Sequence, residues 1–139
     1  MFNLNAKKIV IGGIAAGIVI FVISMGTSIL TQQAFSYDVL KLGGMRTIDD
    51  PIMALFFVHP WVLGFAMAIA FEKTKTGLGK PGMGRGKNFG LITWLLAGLP
   101  SAFLVWSSMN YPPGFTLNSV VGTLTYMVAA GIVIEKIMG

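Results

Sequence analysis

Four stretches of the chain, roughly Ile9–Leu30, Pro51–Phe71, Phe89–Ser107 and Leu117–Ile134, contain no Asp, Glu, Lys or Arg. Each is close to the ~20 residues that a helix needs to cross a hydrocarbon core of about 30 Å. A chain with four such runs has few alternatives. It is 55% hydrophobic and only 11% charged, against about 25% charged in an ordinary soluble domain. A soluble domain of 139 residues has too much surface for its volume to hide that much apolar area. Lipid is the natural solvent.

The sequence therefore predicts an all-α polytopic integral membrane protein, a single four-transmembrane-helix bundle built as two hairpins. The expected segments are a first helix over about 9–30, an outer loop 31–50 and a second helix over about 51–71. A basic, glycine-rich cytoplasmic loop 72–88, a third helix over about 89–107 and a fourth over about 117–136 follow. The first run comes after Lys7 and Lys8 and has some likeness to a secretion signal. Its apolar stretch is long and no small-x-small site closes it, so it is expected to remain as a helix.

The basic residues give an orientation. Lys7, Lys8, Lys73, Lys75, Lys80, Arg85, Lys87 and Lys136 fall on one side of the expected spans, and Lys41 and Arg46 on the other. By the positive-inside rule both termini lie in the cytoplasm, in a plasma or inner membrane. The formal net charge of +5 is then a consequence of topology and calls for no nucleic-acid partner. Tyr37, Trp106, Tyr111 and Phe115 fall at the opposite, outer boundary, where an aromatic belt belongs. The outer segment "QQAFSYDVLKL" has the composition of a short interfacial helix.

Small residues recur at helical spacing: Gly13 and Gly17 in the first helix, Gly98 and Ala102 in the third. The second helix has two such seams, Gly64/Ala68 and Ala66/Ala70, on nearly opposite faces. In lipid, close backbone packing drives helix association, so these positions are expected to pack helices within the chain or between subunits. The second helices also end alike, "AIAFEK" and "GIVIEK", while the first helices do not align.

Asp49-Asp50-Pro51 has the form of a helix start: carboxylates that accept from free N–H groups, followed by proline in the first turn. With Arg46 the pair also has the makings of a charged outer mouth. His59, the chain's one histidine, is expected some nine residues (~13 Å at 1.5 Å per residue) inside the boundary, where an ionisable group is a functional candidate. Pro60 and Pro100 each remove a helix hydrogen bond. His59 is placed to donate to the carbonyl that Pro60 frees, that of Phe56. Together with Ser101, Ser24, Thr123 and Thr125 these residues predict one polar layer in the outer half, acting as interhelical glue or as a site. Trp61 and Trp94 lie deeper than belt tryptophans and should face protein, where their indole N–H groups find acceptors.

The loop "KTKTGLGKPGMGRGKN" carries Lys73, Lys75, Lys80, Arg85 and Lys87. Its nearest approach to a phosphate loop, "GMGRGKN", is a residue short and lacks the terminal Ser or Thr. Basic side chains beside a bilayer attract anionic lipid headgroups instead, and Asn88 is placed to cap the third helix. Absence of cysteine removes disulfides, thiol nucleophiles and thiolate metal sites. One histidine cannot build a zinc site. The reading is of a non-enzymatic protein with no cofactor and no metal. It acts as a structural or accessory component of a homo-oligomer or larger membrane complex, with the bilayer and other membrane subunits as partners. The alternative is a small channel or carrier for a proton, ion or small solute, centred on the polar layer.

Overall fold

A computed structural model describes residues 5–139. The chain is 82% helix with no strand among the described residues. Helix α1 spans Ala6–Phe35, α2 His59–Thr74, α3 Met83–Thr93, α4 Leu99–Ser108, α5 Pro113–Leu117 and α6 Thr123–Met138. Single π-turns at Trp94–Gly98 and Asn118–Gly122 join α3 to α4 and α5 to α6, giving continuous rods Gly84–Ser108 and Pro113–Met138. These two and α1 are long and apolar enough to cross a membrane. A fourth crossing is available if the bent pair Pro51–Phe57 plus His59–Gly77 counts as one span.

The boundaries differ from the expected ones in ways that side chains explain. Helix α1 runs past residue 30 to Phe35, because Thr27, Thr31 and Gln32 bond back to carbonyls of the preceding turn and so tolerate a helical backbone. It ends at Ser36, in the left-handed region with φ 52°, and Gln32 Oε1 accepts from Val39 N at 2.8 Å. The segment expected as an interfacial helix is thus partly α1 and partly a 3₁₀ turn, Val39–Lys41.

The expected second helix is two pieces. A 3₁₀ segment, Pro51–Phe57, meets α2 at an angle of 43°. Proline disfavours a helical conformation in the residue before it and has no N–H to give. The break therefore falls just ahead of Pro60, which takes a first-turn place in α2 where no N–H is required. At Pro100 the chain takes another way out: the π-turn ends at Gly98 and proline again enters a first turn, that of α4. A π-bulge absorbs the missing bond without breaking the rod.

Helix α1 packs on α2 and α6, and α6 packs on α3. The core gathers at one end of the molecule, around Ile20, Met67, Phe71, Ile134 and Met138, all essentially inaccessible. That end joins the start of α1, the end of α2, the start of α3 and the end of α6, as the approaches of Met138 to Gly12 and of Phe71 to Phe89 record. The other end is loose. Helix α4 buries only Ala102, and Leu55, Leu96 and Leu104 are 65%, 75% and 65% exposed.

Candidate functional site

The tight end is built on missing side chains. A Cβ on Gly90 would stand 2.5 Å from the Met127 carbonyl oxygen, and one on Gly86 would stand 2.5 Å from that of Gly131. The α3 backbone thus lies directly on that of α6, the contact that small residues permit between helices in lipid. One turn beyond Gly131, the side chain of Glu135 comes to the first turn of α3.

There its carboxylate meets three donors. Oε1 accepts from Gly82 N at 2.6 Å and from Arg85 Nε at 3.1 Å, and Oε2 accepts from Gly86 N at 2.5 Å. Gly82 precedes the helix at φ 143°, a conformation open to glycine and closed to most residues. The free N–H groups of a helix start are here capped by an acid from another helix, 49–53 residues away, and its charge suits the positive end of the helix dipole. Arg85 and Glu135 are 6% and 5% exposed. The guanidinium also lies 5.5 Å from the centre of the Phe71 ring, which meets Phe89 edge-on, so one ion pair draws α2, α3 and α6 together. Arg85 Nη2 has no partner among the described residues.

This corrects the sequence reading at Arg85. It is a buried structural charge and belongs with the core, while Lys80 and Lys87 stay exposed. Lys75 pairs with Glu72 at 2.9 Å, and Lys73 is exposed. Asn88, expected as a cap, lies on the second turn of α3 because Glu135 lets the helix begin at Met83. Sequence reasoning missed Glu135 itself. The signal was present: Gly82, Gly86 and Gly90 repeat every four residues, which continues a packing stripe upstream through what reads as loop.

A second backbone contact joins α1 to α2. A Cβ on Gly64 would stand 2.7 Å from both Gly13 O and Gly17 N. The rings of Phe65 and Trp61 cover Gly13 and Gly17, and Trp61 meets Phe21 at 5.5 Å between centroids. Ala68 is fully buried on the same face, whereas Ala66 and Ala70 are exposed. Gly98 faces Trp94 and Thr123, and Ala102 is buried near it in sequence.

Of the residues expected to share one polar layer, Thr123 alone bonds to another element among the described residues. Trp94 Nε1 donates to Val120 O at 3.1 Å and to Thr123 Oγ1 at 3.0 Å, which links the two π-turns. Ser24 bonds within α1, to Phe21 O at 3.1 Å, and Thr125 bonds within its own helix, to Val121 O. Asn118 Oδ1, unremarked in the sequence, is buried with no partner among the described residues. His59, Pro100 and Ser101 are exposed while Pro60 is buried; α2 and α4, which carry them, share no substantial packing. His59 makes no hydrogen bond to Phe56 among the described residues. The break ahead of Pro60 removes the defect that this bond was expected to mend.

At the loose end, Asp50 caps the 3₁₀ segment through Ile52 N at 2.9 Å and pairs with Arg46 at 2.9 Å, while Asp49 is exposed. Such an exposed pair contributes roughly 0–1 kcal/mol. Chemically, the Glu135 site offers anchorage: both oxygens of a buried carboxylate accept from the start of α3. No group of three or more His, Cys, Asp or Glu suited to a metal ion occurs among the described residues. Comparison with protein-family models, with curated proteins and with solved structures gave no match.

Proposed function

We propose that this protein is a non-catalytic integral membrane component, a structural or accessory subunit of a homo-oligomer or of a larger membrane complex. In this reading the bent pair makes one crossing, so four spans form two hairpins with both termini in the cytoplasm, on the side of the basic residues. The observation that carries it is the contrast between the two ends. One half is fastened by backbone contacts and a buried ion pair, whereas α4 buries a single residue within its own chain. The grooves at Gly77–Ile92 and Gly44–Phe56 are shallow and lie at the surface, and neither gathers titratable groups. Lipid alone covers apolar side chains without cost. Helix α4, however, has almost no protein to set its position, and a neighbouring subunit supplies that.

The channel or carrier reading rested on His59, Pro60, Pro100 and Ser101 meeting in one layer. Their placement on helices with little mutual packing gives it no support.

The chain has no cysteine, so cross-linking can be made site-specific. Single cysteines replace Ala66, Leu96 or Leu104 in turn, and each is labelled with a maleimide-benzophenone that is photoactivated in native membranes, because the spans carry no amine for a cross-linker to reach. A discrete adduct with a second copy or with another membrane protein is expected from at least one site. Absence of any adduct at all three, with each variant fully labelled by a maleimide, contradicts the proposal.

A further inference from the structure

We propose that the groove between the turn after α2 and the flank of α3 binds one anionic phospholipid. This rests on the membrane reading above. Gly77, Leu78, Asn88, Leu91 and Ile92 line a groove of about 360 Å³, near the lower limit of ordinary small-ligand sites. That is room for a headgroup and the first part of an acyl chain. The rest of the chain has a track to follow. Leu91 and Ile92 are succeeded one helical turn on by Leu95 and Leu96, which are exposed and lie at i+4 on the same face.

The polar end of the groove has donors, and no carboxylate lines it among the described residues. Asn88 carries an exposed amide that no described residue engages. Lys87 stands beside it, four residues before Leu91 and hence on the same flank, and Lys80 follows Gly77 by three; both are exposed. The acids at this end are already committed, Glu72 to Lys75 and Glu135 to Arg85 and the start of α3. A phosphate is therefore met by unopposed positive charge, while a choline ammonium finds no carboxylate. The apolar floor separates a phospholipid from a free phosphate ester, for which Leu78, Leu91 and Ile92 offer nothing.

The test is native mass spectrometry of the full chain, released from micelles doped with equal phosphatidylglycerol and phosphatidylcholine of matched acyl chains. Wild type should retain one phosphatidylglycerol per chain, undiminished by millimolar glycerol phosphate. The pair Lys80→Gln/Lys87→Gln should weaken retention roughly thirtyfold, about fivefold per lysine. Lys7→Gln/Lys8→Gln, an equal change of charge elsewhere at the same end, should leave it within about twofold. Ile92→Trp, at an exposed position, should abolish retention by filling the groove with every charge intact. Equal loss from the two lysine pairs, retention in Ile92→Trp, displacement by glycerol phosphate, or equal retention of both lipids would each overturn the site. Extraction of the chain from membranes by alkaline carbonate would instead remove the membrane reading on which the site depends.

Discussion

Replacing Glu135 by methionine tests the argument at its tightest point. The substitution keeps the volume of a side chain that is 5% exposed but removes the acceptor of three hydrogen bonds. Two consequences add. Arg85, itself 6% exposed, is left as an unpaired buried charge, and breaking a buried pair from one side costs about 3–5 kcal/mol. The N–H groups of Gly82 and Gly86 also lose their partner, at about 1–3 kcal/mol for each one that stays buried. Against a total stability of some 5–15 kcal/mol, the expected loss of at least ~4 kcal/mol is a large share. The second variant decides the cause. Arg85→Met with Glu135→Met removes the stranded charge, so the double variant should be more stable than Glu135→Met alone by ~2 kcal/mol or more, although the helix start remains uncapped. Reversible unfolding in mixed micelles, followed by helical circular dichroism, gives both values. If Glu135→Met costs under ~1 kcal/mol, or if the double variant is the less stable, the ion pair does not hold this end of the molecule together.

Two further outcomes follow from the packing. Gly64→Leu should destabilise the chain by ~3 kcal/mol or more in the same unfolding assay, because its Cβ would meet backbone atoms of Gly13 and Gly17 at 2.7 Å that only helix separation can clear. Ala66→Leu, on the exposed face of α2, should stay within ~0.5 kcal/mol; equal effects would mean that the faces of α2 are assigned wrongly. His59→Ala should likewise change stability by no more than ~0.5 kcal/mol, since the ring is exposed and bonds to nothing described. A loss above ~2 kcal/mol would show that the imidazole has a partner after all.

What was legible in the sequence followed from composition and periodicity. Charge-free runs near ~20 residues give helices able to span a bilayer, and glycine spacing picks out Gly13, Gly17 and Gly64. What was not legible depends on residues far apart in sequence. A glycine-rich basic stretch reads as loop, because Gly84 and Gly86 are poor helix formers. It becomes the first turn of α3 only because Glu135 arrives to cap it. Arg85 sits between Lys80 and Lys87 in composition, and nothing local marks it as the one that turns inward. Proline at 60 and at 100 is expected to cost a helix hydrogen bond, and the chain meets the two differently: with a break at the first and a π-turn at the second. Hydropathy alone also cannot end a helix, which is why α1 runs through Thr31 and Gln32 to Phe35.

The membrane-component account stands or falls most directly on the native particle. Its mass and composition are to be measured after gentle solubilisation, by light scattering with detergent correction and by protein mass spectrometry of the same peak. The account predicts a protein mass that is a clear multiple of 14.9 kDa, or one chain with a stoichiometric membrane partner. A single monodisperse species of one chain with no co-purifying protein, unchanged across mild detergents and lipid nanodiscs, would contradict it.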